Sequence, residues 1–103
     1  MTPKELAREL PYWHATGRQD AGNVMDPKEI KEELGAKPSA KAIKSWLLRE
    51  FVDVNDNQLF EGLLDTQLAS LTKAQRVELL DAWAQGWAEY ASSAMIRYAE
   101  EGF

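Results

Sequence analysis

The side chains of this 103-residue chain that could do covalent or acid–base chemistry are few. They are His14, the pair Ser92-Ser93, the oxygen-rich run Asp53-Val54-Asn55-Asp56-Asn57, and the carboxylate pairs Glu5/Glu9 and Glu100/Glu101. A hydroxyl nucleophile needs a base held within hydrogen-bond reach. His14 is the single histidine, and the two serines fall inside a helical pattern, where small side chains serve close packing. The oxygen-rich run matches the first, third and fifth positions of a calcium loop. The sixth position, which needs glycine, is Gln58, and the twelfth, which needs a bidentate glutamate, is Leu64. Helix capping accounts for these residues better than a metal does. There is no cysteine, and Gly17 and Gly22 stand too far apart to cradle a phosphate. The sequence predicts no catalytic residue, no metal site, no cofactor and no enzymatic activity.

Charge is the stronger signal. The net charge is −5, but from Pro27 to Arg49 six bases face three acids. The rest of the chain holds 14 acids and 6 bases. Within the basic segment Lys41, Ser45 and Arg49 step by four along one side of a helix, with Lys44 beside them. The stretch Glu29 to Leu47 resembles a helix-turn-helix: a short helix ending Leu34-Gly35, a connection, then a second helix with inward Ile43 and Trp46. In that family the second helix enters the DNA major groove. The resemblance implies that Lys41, Lys44, Ser45 and Arg49 face nucleic acid, lysines on phosphates and the arginine on guanine.

Helix signals organise the chain. Thr2-Pro3-Lys4-Glu5 is a start, with threonine as cap and proline in the first turn. Leu6 and Leu10 share a face, and Pro11 is expected to end or bend this helix. Tyr12, Trp13 and His14 follow, and Thr16 to Asn23 reads as a glycine-containing loop. Asp26-Pro27 starts a second helix that Gly35 stops. Pro38-Ser39 opens a third, with Ile43, Trp46, Leu47 and Phe51 on its apolar face. Asn55 or Asp56 caps a fourth carrying Leu59, Phe60, Leu63, Leu64 and Leu68, with Gly62 inside it. Thr72-Lys73-Ala74-Gln75 is a capping box for a long C-terminal helix over about 72–100, expected to fray near Glu101-Gly102. The expected fold is a single all-α domain over 1–103, a compact bundle of about five helices organised on that last one.

On the long helix Leu79, Leu80, Trp83, Trp87, Tyr90 and Tyr98 form a bulky arc. Val77, Ala84, Ala88, Ala91 and Met95 form a neighbouring small one. Together they cover close to half the circumference, where a surface helix needs about 100°. Such a helix is either central, with neighbours on two sides, or shared between its own domain and another molecule. The leading functional expectation is a non-catalytic protein-binding module, a small acidic adaptor or inhibitor. It would dock on a basic, nucleic-acid-handling partner, by analogy with DNA-mimicking inhibitors of bacterial defence systems. Its contacts are expected from the aromatic face Trp83, Trp87 and Tyr90 and from the acids Glu61, Asp65, Glu78, Asp81 and Glu89. The alternatives are the helix-turn-helix regulator and a homodimer through the Trp83/Trp87 face. No segment has the roughly 18 consecutive apolar residues of a membrane span, and the N-terminus lacks a signal-peptide pattern, so a cytoplasmic location is expected.

Overall fold

A computed structural model describes residues 2–53 and 71–103. Among these residues the chain is all-helical, with α1 (Pro3–Val24), α2 (Pro27–Leu34), α3 (Ala40–Glu50) and α4 (Lys73–Glu100). The expected helix bearing Leu59 to Leu68, the calcium-like run beyond Asp53, and the acids Glu61 and Asp65 all lie outside the described residues. Four helices rather than five therefore stand among those described.

Each start is capped as the residue types dictate. Thr2 Oγ1 accepts from the Glu5 amide and also donates to the Glu5 carboxylate at 2.9 Å. Asp26 accepts from the amides of Lys28 and Glu29, and Ser39 from that of Ala42. Thr72 and Gln75 exchange both bonds of a capping box, at 3.0 and 3.1 Å. Gly35 ends α2 at φ +96°, a conformation that L side chains rarely adopt. At the far end α4 closes rather than frays. The Phe103 amide donates to the Tyr98 carbonyl at 2.9 Å, and the Phe103 ring lies 5.7 Å from that of Tyr98.

Pro11 does not end the helix, and the loop expected over Thr16 to Asn23 is absent: α1 runs on through both to Val24. An interior proline costs about 3 kcal/mol through one lost hydrogen bond and a clash. Burying a tryptophan in the same helix is worth about 3–5 kcal/mol by truncation. Trp13 is fully buried two residues on, and Leu6 and Ala21 are buried on the same helix, so packing wins. The glycines are explained by the neighbour they meet. A Cβ on Gly17 would lie 2.8 Å from the Trp83 carbonyl carbon, and one on Gly86 would lie 2.9 Å from that of His14. Both positions let two helix backbones touch.

That contact sets the architecture. Gly17 meets Trp83 and Gly22 meets Tyr90, so the pairings advance together and α1 runs alongside α4 in the same direction. Leu6 and Trp13 pack with Leu71, Leu79 and Leu80 in one apolar cluster. Farther along, Ala21 joins Ile30, Ile43, Trp46 and Leu47 around Ala84, Trp87, Ala88, Ala91 and Met95 in the other. The long helix is thus central, with α1 on one side and α3 on another, which is why its apolar arc is so wide. Ser92 ties it to the α2–α3 connection by donating to the Pro38 carbonyl at 3.0 Å. Three residues expected on apolar faces lie at the margins instead: Val77 is 49% exposed, and Tyr98 and Phe51 are also exposed. No helix among the described residues is long and apolar enough to cross a membrane.

Candidate partner-binding groove

The end of α1, the start of α2, the end of α3 and the middle of α4 enclose an open groove of about 350 Å³. Its apolar wall includes Trp46, Phe51, Trp83 and Trp87. Each ring is placed by its helix. Trp46 and Trp87 point into the core from α3 and α4 and show the groove only their margins. Phe51 caps α3 and stands edge-on to Trp46, with centroids 4.9 Å apart and planes at 73°. Such edge-to-face pairs suit the ring quadrupoles. Trp83 is half-buried, and its indole Nε1 donates to Asp20 Oδ2 at 2.9 Å, which fixes the ring against α1.

The rim has one sign of charge. Asp20, Asp26 and Glu29 line the groove, and no Lys, Arg or His does among the described residues. These carboxylates meet there because only Met25 and Asp26 separate α1 from α2. Asp26 is fixed by its capping role.

The expected aromatic face divides on this frame. Trp83 and Trp87 both line the groove, yet Trp87 is only 5% exposed and is covered by this chain's own helices. Tyr90 lies elsewhere, beside Gly22 and around a hollow shared with Arg18 and Ser93. The expected acids also separate. Glu78 is exposed. Asp81 pairs with Lys44 at 2.7 Å, linking α4 to α3. Glu89 is engaged: Gln85 Nε2 donates to Oε2 at 2.9 Å, His14 Nε2 lies 3.2 Å from Oε2, and Arg18 reaches Oε1 at 3.7 Å. A carboxylate only accepts, so the His14 Nε2 is the donor to it. The Gln85 hydrogen bond, followed by the one from His14, holds the Glu89 carboxyl below its ordinary value. This cluster joins α1 to α4 at the surface.

The four basic-helix residues stay on α3, but not as one set. Lys41, Ser45 and Arg49 are exposed, whereas Lys44 is held against Asp81. Arg49 bonds its neighbour Glu50 at 3.1 Å. Sequence reasoning missed Asp20, Asp26, Glu29 and Phe51 as groove residues. Asp20 falls in the stretch expected to be a loop, and Asp26 and Glu29 read as helix-start residues, which they also are. The available signal was Asp20 itself: continuing α1 through Pro11 at 3.6 residues per turn aligns it with Trp13 and Gly17.

No protein-family model matches this chain, and no curated protein or solved structure matches it.

Proposed function

We propose that this protein is a non-catalytic binding module, an acidic adaptor or inhibitor that docks on the basic surface of a nucleic-acid-handling partner. The observation that carries this reading is the groove, an aromatic-walled depression whose only charged lining residues among those described are Asp20, Asp26 and Glu29. Aromatic anchors in a depression with a polar rim are the usual anatomy of a binding hot spot. The net charge of −5 adds a long-range attraction toward basic surfaces. The test is affinity capture from the native host, with nucleic acid analysed in the same eluate. The expected catch is a basic protein that releases as salt is raised. A catch of acidic proteins alone, or of nothing, counts against the proposal.

A helix-turn-helix regulator is the second reading, favoured by the exposure of Lys41, Ser45 and Arg49 on α3. It requires duplex DNA binding that weakens steeply with salt and is lost in Lys41→Glu. Absence of a mobility shift at low salt removes it.

A further inference from the structure

We propose that the groove seats an amphipathic helix of the partner. One bulky apolar side chain would enter between Phe51 and Trp83, and Lys or Arg one turn away would meet Asp20, Asp26 and Glu29. This rests on the binding-module reading above and specifies its contact.

Four observations lead to it. First, the apolar side chains at the rim are open. Val24 is 70% exposed and Phe51 is 56% exposed, although both line the groove together with Ile30, Trp46 and Leu47 of the larger apolar cluster. Leaving them in water forgoes burial that an apolar partner residue would supply. Second, the groove's 350 Å³ is near the lower end of the range for small-molecule pockets, a size for one large side chain rather than an extended ligand.

Third, the rim acids keep accepting capacity. Among the described residues Asp20 spends only Oδ2, on Trp83, and Asp26 only Oδ1, on the α2 amides. Glu29 uses its backbone amide there and neither carboxylate oxygen. An ammonium or guanidinium can therefore be bound without breaking an existing contact. Fourth, the acids all come from α1, its link to α2 and α2 itself, while Phe51 and Trp46 come from α3. The ligand must carry its cation to one side of its apolar anchor. A helix does this with residues three or four apart. The described residues contain no strand whose edge could be extended, so strand addition is not the mode available to them.

The test is selection of helical peptides from a randomised library against the immobilised full chain, with counter-selection on Phe51→Ala and Glu29→Lys. Both positions lie at the margin, and thermal melts of the two variants check that the fold is kept. The expected pool carries a large apolar residue with Lys or Arg three or four positions away. Its members should bind each variant about tenfold or more weakly. Enrichment of acidic, neutral or proline-rich sequences overturns the proposal, as does binding indifferent to both substitutions. Self-association that Phe51→Ala abolishes also overturns it, because a second copy then fills the groove. If host capture yields a basic protein that binds both variants undiminished, the binding-module reading survives and the groove assignment fails. If capture yields no basic partner, the broader reading fails first.

Discussion

Gly17 lies against the backbone carbonyl of Trp83, with no space for a methyl group between the two helices. Gly86, three residues past Trp83, repeats the arrangement against His14. This double close approach fixes the height of α1 on α4. It also places Trp83 within reach of Asp20, and so builds one wall of the groove. Gly17→Ala and Gly86→Ala should each destabilise the fold by about 1–3 kcal/mol, the usual cost of over-packing. For a domain of this size each kcal/mol moves the melting midpoint by about 4–8 °C. A melt within about a degree of the unaltered chain would contradict the packing described. Gly35→Ala should be destabilising through its positive φ alone, since nothing lies within 4 Å of an added Cβ.

The Asp20–Trp83 hydrogen bond joins fold to groove. Asp20→Ala leaves a half-buried indole N–H without its acceptor. The expected cost is about 1 kcal/mol in a urea titration, since water can reach part of the site. Tryptophan emission should change in the folded state, because the ring loses its fixed partner. An unchanged spectrum together with unchanged stability would mean that the ring is held by other contacts.

The helical character and most helix boundaries were legible from the chain. Thr2, Asp26-Pro27, Ser39 and the Thr72/Gln75 box act locally, through bonds made within three residues, so sequence order reveals them. Pro11 and the glycines misled for the opposite reason. Their local preference favours a break and a loop, while their actual role depends on Trp13 burial and on α4, some seventy residues away. The groove was only half legible. Trp83 and Trp87 stood out as aromatic residues on one arc, but Asp20, Asp26 and Glu29 come together through a helix that propensity alone would end early.

Glu89 should make stability pH-dependent in a definite direction. Its carboxyl is held below the ordinary value in the folded chain, by Gln85 first and His14 second. Its contribution is therefore fully present above the unfolded carboxyl pKa and is lost as pH falls through the folded value. In Glu89→Gln that part of the dependence should disappear. Urea midpoints of the two proteins should differ most near neutrality and converge in acid. A difference that grows on acidification would contradict the assigned pairing.

The α3 surface gives a prediction on nucleic acid. With Lys44 held by Asp81 and Arg49 bonded to Glu50, Lys41 is left as the one cation of the three on this face without a side-chain partner among the described residues. An acidic chain with so small a cationic patch should produce no mobility shift of duplex DNA even at low salt. A salt-dependent shift lost in Lys41→Glu would transfer the function to the helix-turn-helix reading.

The most direct test of the account is parallel affinity capture from the native host with the unaltered chain and with Glu29→Lys, under low-salt washing and high-salt elution. A basic protein is expected in the high-salt eluate of the unaltered chain, depleted about tenfold or more in that of Glu29→Lys. Equal recovery on both baits, or an eluate whose specific component is acidic or is nucleic acid alone, would contradict it.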